Sequence, residues 1–281
     1  MMLLRYEIMA AGHCTAYHGL AVAGAPFKPI KFRATFVHIE HPVHGHMLFD
    51  TGYTLDFYKV TKQFPNKIYA QITKVFIQKE EEAVAQLREK GITPEEIKYI
   101  IISHFHADHI GGLRDFPNAT LIASAKADAA IQGKKGFKAV KHGYIPALMP
   151  EDYEERKQLI QVEEGSKSDP DLGVLYDLFN DGSILICQLE GHARGQIGAL
   201  LQTEEGQVFI AADGAWHKEN FEQLHYPSRM ASILFDSWKE AKNTLRKIHR
   251  FQQNNPDTFI FPCHCETSYT TYLQNKSKTI L

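Results

Sequence analysis

No apolar run in this 281-residue chain is long enough to span a bilayer, which excludes a helical membrane protein. The opening residues, Met1 to Glu7, lack the long apolar region of a signal peptide, so a cytoplasmic protein is expected. An excess of charge of either sign is also missing. A net charge of -2 offers neither a basic track for nucleic acid nor a patch for an anionic membrane. Cysteine is sparse, and Cys14, Cys187, Cys263 and Cys265 do not make a disulfide framework in a chain this long. Cys263-His264-Cys265 hints at a thiolate zinc site, but no Cys-x-x-Cys pair accompanies it. Linkers, low-complexity tracts and short repeats are absent as well. The reading is one domain over residues 1–281.

Histidine, by contrast, is plentiful at 15 residues. The chain is organised around Lys98 to Leu113. Tyr99 to Ile102 is β-branched and apolar and reads as a buried strand. His104, His106, Asp108 and His109 follow within six positions. Residues two apart on an extended chain point the same way, so His104 and His106 project together. Asp108 and His109 arrive where the chain turns, and Gly111-Gly112 permits close backbone packing there. Three imidazoles and a carboxylate in one small volume suit a first-row metal, zinc before iron, manganese or cobalt.

Three later strands each deliver one ligand-type residue at the carboxyl end. Ser183 to Leu189 runs into His192, Val208 to Ala212 into Asp213, and Thr258 to Phe261 into His264. Ligands at strand ends suit a site on one rim of a sheet. Asp50 follows the Met47 to Phe49 strand and is expected to accept the second ring N–H of a ligand histidine.

The remaining chain reads as mixed α and β. Leu3 to Met9 and Phe32 to Glu40 are strands, with Ala10 to Pro29 a loop between them. His41 to His46 is a hairpin turn at the end remote from the site. Leu55 to Phe76 forms broken helices whose aromatics, Phe57, Tyr58, Phe64, Tyr69 and Phe76, fold over the pocket. Lys79 to Lys90 reads as one amphipathic helix ended by Gly91. Thr93 caps the next turn, with Pro94 at its first position and Glu96 closing a capping box. Ser124 to Ile131 is a helix. Gln132 to Leu172 has no clear period and reads as an insertion serving as lid or oligomer contact, which leaves a homodimer open. A helix from Ser237 to about Gln253 is expected to bury Trp238, Ala241, Leu245, Ile248 and Phe251.

His-x-His-x-Asp-His-x-Gly-Gly, followed by Gly191-His192, Asp213-Gly214 and His264, resembles the metallo-β-lactamase superfamily of hydrolases. Within it the chain most resembles the N-acyl-homoserine lactone lactonases, which Ala11-Gly12-His13-Cys14 and Leu48-Phe49-Asp50-Thr51-Gly52 also match. The resemblance implies an α/β (α+β) fold, a four-layer αββα sandwich. It implies that His104, His106 and His192 hold one divalent ion, that Asp108, His109 and His264 hold a second, and that Asp213 bridges them. A hydroxide shared by ions about 3.5–4 Å apart would open a lactone or related ester of a small molecule. Asp108 and Asp213 are then the catalytic carboxylates of a quorum-quenching lactonase. The family's tyrosine three positions after the bridging Asp is Trp216 here. An indole donates a hydrogen bond but does not ionise. His217 or Tyr144 is a candidate substitute. The alternatives are a glyoxalase-II-like thioesterase, disfavoured by the short segment after His264, and a phosphotriesterase-like hydrolase. From another class comes a mononuclear iron persulfide dioxygenase, disfavoured by the complete second ligand set.

Overall fold

The computed structural model describes residues 2–279. Its strands are β1 (Arg5–Tyr17), β2 (Pro29–His41), β3 (Gly45–Phe49), β4 (Val75–Phe76), β5 (Ile97–Ile101), β6 (Thr120–Ser124), β7 (Lys157–Ile160), β8 (Lys167–Asp169), β9 (Gly173–Asp177), β10 (Ile184–Gln188), β11 (Ile197–Thr203), β12 (Gly206–Ala212) and β13 (Phe259–Pro262). They form a seven-stranded sheet, β4-β1-β2-β3-β5-β6-β7, and a six-stranded sheet, β13-β12-β11-β10-β9-β8. Strands β3, β5, β6 and β7 run parallel, as do β12 and β13.

Alternation along the strands explains the layers. Ile8, Val37, Ile39, Met47, Phe49, Ile101 and Ile122 on the first sheet meet Ile186, Ile197, Leu201, Val208 and Phe261 on the second in one apolar core. The opposite face of the first sheet, with Phe36, Leu48 and Ile100, packs on the helical segments that carry Phe57, Val84 and Leu87. The opposite face of the second, with Leu200, Phe209 and Ile260, packs on Leu245, Ile248 and Phe251 of the Trp238–Asn254 helix. The result is the expected four-layer αββα sandwich. Each fully buried side chain of this kind is worth about 1.5–3 kcal/mol over leaving it exposed. Among the described residues no helix is long and apolar enough to cross a membrane.

Two local expectations are corrected. The segment expected as a loop from Ala10 to Pro29 begins as strand, since β1 continues to Tyr17. A register shift between Ala10 and His13 lets it pair with β2 and with the short β4. The expected helix from Lys79 to Lys90 is broken at Glu82, whose backbone is extended (φ -61, ψ 142). A capping box between Gln78 and Glu81 closes the first turn, and Glu82 Oε1 accepts the Leu55 N–H at 2.8 Å. Those polar partners compete with the helical ladder and stop it. The Gln132–Leu172 stretch supplies one of the two edge strands of each sheet, β7 and β8.

Candidate metal centre

The site lies where the carboxyl ends of β3, β5, β10, β12 and β13 converge. After β5 the chain runs through Ser103 to His104, and His106 starts the short Ala107–Ile110 helix that holds Asp108 and His109. This turn exists because Gly111 lies against the backbone of Gly52 and Tyr53: an added Cβ would sit 2.5 Å from the Gly52 carbonyl oxygen. Strand β10 leads to His192, β12 to Asp213, and β13 to His264.

Two groups of donors result. His104, His106, His192 and Asp213 bring ligand atoms within 4.8 Å of one another, and so do His109, Asp213, Cys263 and His264. Asp213 belongs to both. Its Oδ2 lies 3.0 Å from His192 Nε2 and 3.0 Å from His264 Nε2, and its Oδ1 lies 3.5 Å from His109 Nε2. Asp108 closes the second group, 3.5 Å from His264 Nε2 and 3.8 Å from His109 Nε2. His104, Asp213, His109 and His264 are all nearly inaccessible to solvent.

Neighbouring groups fix which ring nitrogen faces inward. His109 Nδ1 donates to Asp50 Oδ2 at 2.7 Å, and His264 Nδ1 donates to the Arg33 carbonyl at 2.7 Å. In each ring Nε2 is then directed at the carboxylates, in the manner of ligating histidines. Asp50 is itself anchored by the Ser103 N–H at 2.8 Å and the Ser103 hydroxyl at 2.7 Å. The Ser103 hydroxyl also lies 3.0 Å from His104 Nδ1.

These residues fit a pair of divalent ions. His104 Nε2 and His109 Nε2 are buried with no hydrogen-bond partner, which costs about 1–3 kcal/mol each unless something binds them. Burial and the adjoining imidazoles hold His104 and His106 well below the usual histidine range, in the neutral form that ligates. Burial opposes charge on His109 too, yet Asp50, Asp108 and Asp213 outweigh it and raise its pKa to about 10. Burial likewise opposes charge on Asp213, and the rings of His264, His192 and His109 overcome it, holding the carboxyl well below its usual range. Carboxylates and imidazoles stabilise one another's charge at His109 and Asp213, while His104 and His106 stay neutral.

Aromatic rings wall the centre. Phe32 stacks on His264 with ring centroids 5.0 Å apart, and Phe235 meets His192 edge-on at 5.4 Å. Burial and the Asp108 carboxylate together push the Tyr69 phenol well above its usual range, which marks it as a neighbour of that carboxylate. Trp216 Nε1 donates to Asp213 Oδ2 at 3.3 Å. The Cys263 thiol donates to Asp213 Oδ1 at 2.6 Å. Burial and Asp213 raise the pKa of Cys263 well above the usual thiol range, which keeps the thiol protonated as a donor to that carboxylate.

The candidate substitutes for the missing tyrosine lie elsewhere. Tyr144 is buried against Phe105, and its hydroxyl feels Asp128 and Glu154. The preceding Gly143, not Tyr144, touches the centre, because it packs on the His106 ring. His217 is held by Glu219, His18 and Cys265. Sequence reasoning also missed Ser103, Phe32, Phe235 and Gly143. Only Ser103 carried a signal, its place between the strand and the first ligand-type residue.

A two-sheet sandwich whose strand ends gather imidazoles around a shared carboxylate defines a metal-binding protein. The chain belongs to the metallo-beta-lactamase superfamily, whose family model matches residues 34–250. It is 24% identical over 229 residues to the N-acyl homoserine lactonase AttM of Agrobacterium fabrum, a match covering 80% of this chain and 79% of that protein. In structure it is similar to an N-acyl homoserine lactone hydrolase with the product N-hexanoyl-L-homoserine bound at its catalytic metal centre. That match has a TM-score of 0.76 and 20% identity, over 96% of this chain and 97% of the other. It is also similar to AidC, a dizinc quorum-quenching lactonase, with a TM-score of 0.64 and 15% identity over 94% and 88% of the two chains.

Proposed function

We propose that this protein is a dinuclear metal-dependent hydrolase that opens the ring of an N-acyl-homoserine lactone or a closely related ester. The observation that carries the reading is Asp213, one carboxylate common to two donor groups. His104, His106 and His192 would hold one ion, Asp108, His109 and His264 the other, and Asp213 both. A site for a single iron uses only one such group, so the shared carboxylate favours two ions over an oxygenase. The relatives named above are lactonases, which supports the substrate class. Zinc is the first choice of metal, since an N/O donor set of this kind suits it. A cytoplasmic location and a homodimer complete the proposal.

When bound, the ions supply a water acidified towards neutrality and a Lewis acid for the ester carbonyl. The chain's own residues do the rest. Asp213, held by the indole of Trp216 and the thiol of Cys263, keeps the two donor groups in register. Asp50 and the Arg33 carbonyl keep His109 and His264 in the ligating tautomer. Asp108 is the carboxylate placed to take a proton from the attacking water and return it to the departing ring oxygen. Phe32, Phe235, Tyr69 and Trp216 exclude bulk water and offer an apolar wall to an acyl chain.

The test is a series of N-acyl-homoserine lactones of rising chain length, run beside a thioester and a phosphotriester, with metal content measured on the same sample. The expected result is two ions per chain and lactone turnover whose KM falls with chain length, by at most about 0.8 kcal/mol per buried CH₂. Turnover of the thioester or phosphotriester with no lactone opened would remove the lactonase reading and leave the hydrolase.

A further inference from the structure

A second cluster of metal-type donors stands where β1 ends and the chain leaves β12. His18 begins the short His18–Ala21 helix, and both of its ring nitrogens are shut off from solvent with no hydrogen-bond partner. An imidazole so placed loses its water partners and gains none, which is costly unless a cation takes the lone pair. Its Nε2 lies 3.7 Å from Glu219 Oε1, too long for a hydrogen bond. The His217 ring faces it, with centroids 5.0 Å apart. His217 Nδ1 accepts the Glu219 N–H at 3.3 Å and lies 3.4 Å from Glu219 Oε1, and the ring also hydrogen-bonds Cys265. His225 Nδ1 approaches the other carboxylate oxygen at 3.5 Å.

The cradle is braced. Buried Asn220 accepts the N–H groups of Trp216 and His217 at 3.0 and 2.8 Å, and donates to the carbonyls of Ala21 and His225 at 2.9 and 2.7 Å. One side chain therefore sets the positions of both loops and the residues they carry. The ligand atoms of His18, His217 and Glu219 fall within 4.8 Å of one another. A third cluster of similar make-up, His41, His44 and Asp181, lacks the deficit. There Nδ1 of His41 accepts the N–H groups of Val43 and His44, and its Nε2 donates to Asp181 and Ser183.

We propose that His18, His217 and Glu219 form a metal site, separate from the strand-end centre, for a first-row divalent cation of the zinc class. Two imidazoles and one carboxylate leave a position open for His225 or water, and zinc accepts that set with bonds of about 2.0–2.2 Å. The ion would clip the His18–Ala21 turn to the loop that carries Trp216.

The experiment dialyses the wild type, His18→Gln and Glu219→Gln against micromolar zinc and measures zinc per chain. Each variant should hold one ion fewer than the wild type. The difference, not the total, carries the inference, so it stands apart from the number held at the strand-end centre. Equal zinc in all three would overturn it. An anomalous difference map at the zinc edge, on wild-type crystals equilibrated with the same zinc, decides the matter without a variant. A peak bound by His18, His217 and Glu219 is expected, and its absence overturns the site even if both variants unfold.

Discussion

Replacing Asp50 asks whether a residue that touches no ion governs how tightly one is held. Asp50 is 1% exposed and takes three hydrogen bonds, from the Ser103 N–H, the Ser103 hydroxyl and His109 Nδ1, at 2.8, 2.7 and 2.7 Å. Alanine would strand the Ser103 and His109 N–H groups at about 1–3 kcal/mol each. It would also adopt the left-handed backbone of Asp50, φ 59, at about 1–2 kcal/mol. Against a total stability of about 5–15 kcal/mol, the alanine variant folds poorly and reports little. Asparagine is the informative change, because it keeps the shape and tolerates positive φ. Its oxygen can still accept from the Ser103 N–H. Its amide N–H₂ then faces His109 Nδ1, which must turn acceptor, and the ring proton moves to Nε2. That nitrogen points at Asp108 and Asp213 and no longer ligates. Loss of such an orienting partner costs about 10–100-fold in metal affinity, and each tenfold is about 1.4 kcal/mol. The assay is zinc titration against a chromophoric chelator. One site should weaken by that factor while the other keeps its affinity, and excess zinc should restore part of the turnover. An asparagine variant with wild-type affinity at both sites would refute the tautomer argument.

Gly143→Ala should weaken the group holding His106. The added Cβ would sit 2.5 Å from His106 Cδ2, on a backbone at φ 65, and the same titration should show a loss at one site with the Asp50-linked site spared. Asp115→Asn should stabilise the protein above pH 6 and leave it unchanged near pH 4. Burial, then Glu82 and Asp56, raise the Asp115 pKa to about 6, so the folded state binds its proton more tightly than the unfolded chain and wild-type stability falls as pH rises from about 4 to 6. Two pKa steps correspond to about 2–3 kcal/mol, read as a difference in melting temperature between pH 4 and pH 8.

The strand ends were legible because an apolar run stopping at a ligand-type residue carries its geometry with it. Tyr99 to Ile102 leading to His104 is the clearest case, and Asp50 after Met47 to Phe49 gave up its orienting role for the same reason. The continuation of β1 to Tyr17 was hidden. Ala10, Ala11 and Gly12 show no alternation, and the register shift there reverses the sides on which later residues fall. The break at Glu82 depends on Leu55, a partner 27 positions away. Phe235 and Gly143 sit in aperiodic segments, and packing alone brings them to the imidazoles.

The donors around Asp213 come from both sheets: His104, His106, Asp108 and His109 from the first, His192, Asp213 and His264 from the second. Between the sheets lies an apolar core held by non-directional contacts. An ion held by both sides would be a rivet through two plates. It would add directional bonds to a non-directional contact, and binding at a thousandfold excess over Kd would add about 4 kcal/mol against separation. Loading the centre and tying the two halves of the molecule together would then be one event.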